Sequence, residues 1–401
     1  MNAIPSQWRR GDGFSLVEVM VAMALGAFLT LGVIQVLSVS KGIYFSNAAI
    51  ARMQDNGRFA LEALARSIRL AGYTGCDRAN LVNIQLSNPT YWWKNFATNA
   101  ITTDPTGAPL PTPATFGAAS QAIGATIMGY DGTQTHALPA AGSPAAAQFT
   151  TTSNGRRMPG SDALIVLGGD GGYAVTANDP GNFKLTLNSV TKPSGVTLKV
   201  GDLAIACDSA SGTKPMIPAT LFQVTGVGSG SIAYAGSLSV YTLTATDEVG
   251  RISLLDYIPA AFYIGTNDSC PLNSTCALPN ALYQLQFSGG TMVAQQVVEG
   301  VQDMQILYGE DTNADGQVEQ YSDATSVADW NNVLAVRISL LMVTLEDNIV
   351  PQPQDYQWPN DTGDAANFGR TNLGSSRPGD RHLYQVFSTT VGIRNRLRSS
   401  S

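Results

Sequence analysis

Apolar residues run without a charged interruption from Val19 to Val39, and Gln35 is the one strongly polar side chain among them. As an α-helix at about 1.5 Å per residue this run measures about 32 Å, which matches a hydrocarbon core of about 30 Å. Behind it the pattern narrows. Ile50, Met53, Gly57, Ala60, Leu64 and Ile68 recur at three- and four-residue steps, with Arg52, Asp55, Arg58, Glu62, Arg66 and Arg69 mostly elsewhere around the helix. The spacing predicts one helix over 14–70, with Gly72 as its stop and no proline between Phe14 and Gly72. Its first half, apolar all round, wants lipid or other helices. Its striped second half wants a sheet.

From Asp162 the signals are those of strands. Ala163–Leu167, Lys184–Val190, Val196–Cys207, Leu221–Val227 and Ile232–Thr244 are rich in Val, Ile, Leu, Thr and Tyr. Arg251–Ile264, Ala281–Phe287, Thr291–Tyr308, Val333–Leu345 and His382–Arg394 continue the series. No helix-length segments alternate with them, so the expected class is α+β: a long N-terminal helix packed on a large, mainly antiparallel β-rich domain. Residues 87–160, rich in Pro, Thr, Ala and Gly, predict loops and a few short strands, with Trp92 and Trp93 as a local packing anchor. The expected layout is a leader over 1–13, a transmembrane half of the helix over 14–40, an amphipathic half over 41–72, and the β-rich domain over 73–401.

Charge narrows the setting. Twenty-three Lys plus Arg stand against 30 Asp plus Glu, a net −7, and loss of residues 1–13 removes Arg9, Arg10 and Asp12 and leaves the rest acidic. Such a body is a poor direct binder of nucleic acid, which needs clustered cations. Only 13% of residues are charged, the balance of an exported β-rich domain. The four cysteines, Cys76, Cys207, Cys270 and Cys276, form no C-x-x-C pair, and two histidines make a zinc site a poor fit. Outside the inner membrane, disulfides are permitted. Cys270 and Cys276 enclose a short loop that a bridge can close, and Cys76 with Cys207 would tie the end of the helix to the β domain. Four cysteines allow three connectivities, of which this is the favoured one.

The N-terminal order is unusual for an exported chain. Arg9 and Arg10 precede Gly13, and the apolar run comes after it, whereas an ordinary secretory signal carries its cut behind the apolar core. Gly13-Phe14-Ser15-Leu16-Val17-Glu18 resembles the class III signal of type IV pilins and type II secretion pseudopilins: a glycine, then Phe, then an apolar stretch with Glu as the fifth mature residue. Gln54-Asp55-Asn56-Gly57-Arg58-Phe59-Ala60-Leu61, and Arg69 through Cys76, resemble PilW-type minor pilins, which are related to J-type pseudopilins. So do Ser161-Asp162-Ala163-Leu164, Gly201-Asp202-Leu203, Leu221-Phe222-Gln223-Val224-Thr225, Val298-Glu299-Gly300-Val301 leading to Tyr308-Gly309, and Val386–Val391 with Arg394-Asn395-Arg396.

The resemblance implies a structural role rather than an enzymatic one. A prepilin peptidase would cut between Gly13 and Phe14, and Phe14 would be N-methylated. The subunit would start as a single-pass inner-membrane protein with a periplasmic domain, then pass through the assembly platform to the pilus tip. It would prime pilus assembly and support twitching motility, adhesion or DNA uptake. Its implied partners are other minor pilins, the major pilin and a PilY-type tip adhesin. The alternatives are a J-type minor pseudopilin of type II secretion and a membrane-anchored periplasmic enzyme or binding domain, for which no catalytic set is visible.

Glu18 is the first candidate site. Its carboxylate can pair with the Phe14 amine of a neighbouring subunit, because a single leftover charge is costly beside lipid, or it can simply reach the interface. The second is Asp311-Thr312-Asn313-Ala314-Asp315-Gly316-Gln317-Val318-Glu319. Asp311, Asn313 and Asp315, the Gln317 carbonyl and Glu319 fall at positions 1, 3, 5, 7 and 9 of an EF-hand-like calcium loop. Position 12 is Ser322, with Asp323 next to it, so the alternative is an acidic Asx-rich hairpin loop without metal. Gly168–Gly172 reads as a tight glycine turn, not a nucleotide loop, because Pro180 arrives where a helix would have to run. His136 and His382 have no triad spacing and read as solvated or packed.

Overall fold

The computed structural model describes residues 15–73, 82–85, 126–132, 158, 160–179, 181–192, 195–208, 219–234, 252–257, 260–267, 269, 279–288, 291–359, 371–375 and 380–395. Gly13, Phe14, Cys76, Trp92, Trp93, His136, Cys270 and Cys276 lie outside them. Cys207 sits in a strand, but its side chain is outside the description.

Helix α1, Leu16–Leu70, is the one α-helix among the described residues. The chain divides into two compact units, Met1–Ala51 and Arg52–Ser401. In the first, the apolar side chains from Leu16 to Phe45 are exposed, with Phe28 at 79% and Leu16 at 75%. This segment is long and apolar enough to cross a membrane. The Thr30 hydroxyl is satisfied within it, donating to the Gly26 and Ala27 carbonyls at 2.9 and 2.8 Å, so the run offers lipid or a neighbouring helix little but hydrocarbon.

In the second unit, Met53, Ala60, Leu64 and Ile68 are buried while Arg52, Asp55, Arg58, Glu62, Arg66 and Arg69 stay exposed, the stripe expected from the sequence. The helix stops where Gly72 takes φ +73° and donates to the Leu167 carbonyl at 2.9 Å.

The strands are β1 Val82–Gln85, β2 Ile127–Tyr130, β3 Ala163–Val166, β4 Gly169–Asp179, β5 Lys184–Leu187, β6 Leu203–Asp208, β7 Ala219–Gly228, β8 Ser231–Tyr234 and β9 Ile252–Tyr257. Then follow β10 Ala260–Gly265, β11 Ala281–Ser288, β12 Thr291–Glu299, β13 Val301–Glu310, β14 Gln320–Ser322, β15 Val333–Val343, β16 Asp355–Pro359, β17 Thr371–Ser375 and β18 Tyr384–Gly392. They form sheets ordered β1-β7-β6-β9-β4-β5-β8, β12-β11-β10-β3-β2, β14-β13-β15-β18 and β16-β17. Every described pairing is antiparallel except β1 with β7. The class is α+β.

Two cores result. In the first, Met53, Leu64 and Ile68 of the helix pack with Leu164, Phe262, Leu282, Ile306, Ile338 and Leu340, so one layer of apolar side chains serves the five- and four-stranded sheets together. Tyr308, fully buried, stands edge-on to Trp330 at 4.7 Å between ring centroids. In the second, Tyr173, Val175, Leu185, Phe222, Ile232 and Leu254 fill the seven-stranded sheet's own core.

Four sequence expectations change, one of them being Arg251–Ile264, which is two strands, β9 and β10. Gly169–Gly172 is not a free turn but the start of β4, with an irregularity between Asp170 and Tyr173 where Gly171 takes φ +60°. Thr291–Tyr308 is two strands, because Gly300 takes φ +76° and breaks the run. Val196–Cys207 becomes a strand only from Leu203, after Gly201 at φ +95°.

Candidate functional site

The front of α1 holds an arrangement that the charge of Glu18 had concealed. The Ser15 backbone N–H donates to Glu18 Oε2 at 3.1 Å. Ser15 precedes the first helical residue and Glu18 stands three residues on, the spacing at which a side chain reaches back to satisfy one of the helix's orphan donors. Ser-x-x-Glu ahead of an apolar run was a legible signal for it. Glu18 therefore has two candidate roles at once: it caps its own helix, and it offers a carboxylate at the helix's N-terminal end. A carboxylate there also suits the positive end of the helix dipole.

The acidic loop follows β13. The Asp311 carboxylate accepts from the Asp315 and Gly316 backbone N–H groups at 3.2 and 2.8 Å. Asn313 Oδ1 accepts from the Asp315 N–H at 2.9 Å, and Asp315 Oδ1 from the Gln317 N–H at 2.8 Å. Glu319 Oε2 accepts from the Thr312 N–H at 2.8 Å. Gly316, at the position where an EF-hand-like loop needs its sharp turn, takes φ +87°. One carboxylate oxygen each from Asp311, Asp315 and Glu319 lies within 4.8 Å of the others. Ser322 is in β14, paired with Tyr308, so strands and not helices flank the loop.

A second group was not legible. Asp347, Asp380 and His382 bring ligand-type atoms within 4.8 Å of one another. His382 is half-buried, with Nδ1 2.7 Å from the Thr344 carbonyl. The Asn348 backbone N–H, with that of Arg381, holds the Asp347 carboxyl below its ordinary value. Asp380 and His382 are near neighbours in sequence, but Asp347 reaches them only through the register that sets β15 against β18.

Comparison with known proteins bears on both ends of the chain. The model of a prokaryotic N-terminal methylation motif matches residues 8–34, and that of type IV pilus-assembly protein W matches residues 261–395. Together the two matches support a PilW-type minor pilin of the type IV pilus. The pilin family is structural, a type IV pilus-assembly protein implies contact with other pilus components, and the methylation motif with the apolar helix suggests membrane anchoring. Neither a curated protein nor a solved structure matches the chain.

The matched C-terminal stretch runs from β10 through β18 and includes β10, β11, β13 and β15, which supply much of the core that the helix packs on. Several phrases that carry the family likeness turn out to be joints. Ser161 Oγ accepts from the Met304 N–H at 3.1 Å, and Asp162 accepts from the Ile306 and Gly132 N–H groups at 2.7 and 2.8 Å. Met304 and Ile306 lie two apart on β13, so their amides point the same way, and Ser161-Asp162 meets both. That pins the start of β3 to β13 and so joins two sheets. Gly300 turns β12 into β13 and donates to the Asn280 carbonyl at 2.9 Å. Gly201 donates to the Val224 carbonyl at 2.7 Å, and Gln223 Nε2 donates to the Gly201 carbonyl at 3.0 Å.

Proposed function

We propose that this minor pilin primes type IV pilus assembly and remains in the tip complex, where its β-rich domain meets other minor pilins and a PilY-type adhesin. The observation that carries the reading is the capped, wholly exposed apolar helix: a segment that buries none of its side chains from Leu16 to Phe45 is built to be buried by something else. Prepilin peptidase would expose Phe14, and the Phe14 amine of one subunit would pair with Glu18 of the next. Pairing the two charges removes a penalty that each would otherwise suffer beside lipid, and so sets register. Twitching, adhesion and DNA uptake are the outputs such a tip would support.

The alternative of a J-type pseudopilin is separated by deletion. Loss of the gene should abolish surface pili and leave exoprotein release intact; the reverse pattern assigns the chain to type II secretion. Co-purification of the full-length protein with candidate minor pilins names the neighbours.

We also infer that the Asp311 loop takes calcium. Its donors are all hard oxygens, the cluster is already gathered, and backbone amides hold the carboxylates in place. Asp311, Asn313, Asp315, Glu319 and the Gln317 carbonyl would hold the ion. Without a bidentate carboxylate at position 12, affinity should fall in the range of extracellular modules, about 10⁻⁴–10⁻³ M. Calorimetry should show calcium heat that Asp311→Ala abolishes; absence of heat in the unmutated protein sinks the assignment.

A further inference from the structure

Away from the helix, the seven-stranded sheet encloses a charged pair in an apolar setting. Lys192 sits on a tight turn, where its N–H donates to the Val196 carbonyl at 2.8 Å and Thr191 bridges to Thr197. Its side chain is 4% exposed and its Nζ lies 2.7 Å from Asp256 Oδ2, on a carboxyl 10% exposed in β9. The lysine stem passes over Gly171, where a Cβ would come within 3.2 Å of both Cδ and Nζ. The ammonium lies 5.3 Å from the centroid of the Tyr173 ring, and the Tyr173 hydroxyl donates to the same Oδ2 at 3.2 Å. Asp256 Oδ1 is buried and has no hydrogen-bond partner among the described residues.

As a plain salt bridge this is poorly finished. Two charges taken out of water are offset only when their remaining lone pairs are satisfied, and one carboxylate oxygen here is not. Burial pushes the Asp256 carboxyl up, against the pull of Lys192 and the Tyr173 hydroxyl, and the nearby Asp202 charge pushes it further. A dry interior disfavours separated charge, so moving the proton within the 2.7 Å contact to give amine and acid is the step that the condensation needs. An amine held 2.7 Å from a carboxyl oxygen, both side chains nearly closed to water, is a nucleophile kept beside an electrophile, and such proximity replaces much of the entropic barrier.

We propose that Lys192 and Asp256 condense into an intramolecular amide. Lys192 Nζ attacks Asp256 Cγ and forms the N–C bond. The C–Oδ1 bond breaks, and that oxygen leaves as water with the acid proton and one proton from nitrogen. No oxidant or other reactant is required. Oδ2 remains as the amide carbonyl, still accepting from the Tyr173 hydroxyl, and the oxygen without a partner is the one lost. The product braces the 191–197 turn to β9 covalently, and nothing in it depends on how the N-terminal helix is used.

The test is peptide mass spectrometry on the full-length protein purified from membranes, reduced and digested. The expected result is a branched peptide joining Lys192 to Asp256, lighter by one water than its two linear parts, with those linear parts absent. Lys192→Arg and Asp256→Ala should each restore linear peptides. Linear peptides at full yield from the unmutated protein would overturn the proposal and leave a buried ion pair; that reading of the unmutated chain is decisive even if a variant fails to fold.

Discussion

The double role of Glu18 can be separated by two substitutions. Glu18→Gln keeps a side-chain acceptor for the Ser15 N–H, since Gln serves in the same capping arrangement, but removes the charge. Glu18→Ala removes both. Loss of a cap of this kind costs about 0.5–2 kcal/mol of helix stability, and the exposed 3.1 Å bond at this site argues for the low end. Leaving a neighbour's amine without its partner beside lipid costs about 3–5 kcal/mol, or about two to three and a half powers of ten in occupancy. If pairing drives assembly, Glu18→Gln should lose about a hundredfold or more in incorporation, and Glu18→Ala only a few-fold beyond that. The assay compares subunit in sheared pili with subunit in membranes, in a deletion strain carrying each variant, with leader removal checked by mass. Normal incorporation of Glu18→Gln beside failure of Glu18→Ala would refute the pairing argument and leave Glu18 as a cap.

Other expectations concern the β domain. Gly129 on β2 lies so close to Tyr308 that an added Cβ would overlap the phenol, so Gly129→Ala should destabilise by about 1–3 kcal/mol in urea unfolding; an unchanged midpoint would mean that the Tyr308 pocket yields freely. Asp162→Ala leaves the Gly132 and Ile306 amides without their acceptor and should cost about 1–3 kcal/mol for each, with Asp162→Asn milder. Asp347 has its folded value below the ordinary 3.8, so its contribution is present above that pH and lost as pH falls through the folded value. Asp347→Asn should therefore lower stability slightly at neutral pH, leave it nearly unchanged in acid, and so flatten the acid limb of a stability–pH curve; an identical acid limb would show that the two backbone N–H bonds to Asp347 do not matter.

What the sequence made legible was whatever depends on local period. The all-round apolar run, the stripe from Met53 to Ile68 and the stop at Gly72 each follow from spacing along one helix, and each appears in the structure. Strand existence was legible for the same reason, in runs of Val, Ile and Tyr. Strand limits were not: Gly300 and Gly201 end ladders through left-handed backbone that a run of β-formers hides. Gly169–Gly172 misled in the opposite sense, since glycines that read as a turn are held in β4 by pairing with β9. The Ser15–Glu18 cap is local too, visible as Ser-x-x-Glu ahead of an apolar run. The Lys192–Asp256 pair and the Asp347, Asp380 and His382 group were invisible because long-range register alone brings their members together. Of the calcium loop, the turn at Gly316 and the gathering of its carboxylates follow from the Asx pattern, which is local.

A subunit that assembles in this way needs its apolar helix kept in the mature protein and cut free just ahead of Phe14. Mass spectrometry of the N-terminal peptide from protein extracted from membranes or pili tests it most directly. The predicted result is a peptide beginning at N-methylated Phe14, with Ser15 and Glu18 retained. A mature chain beginning beyond Val39, or one still carrying residues 1–13 in assembled pili, would contradict it.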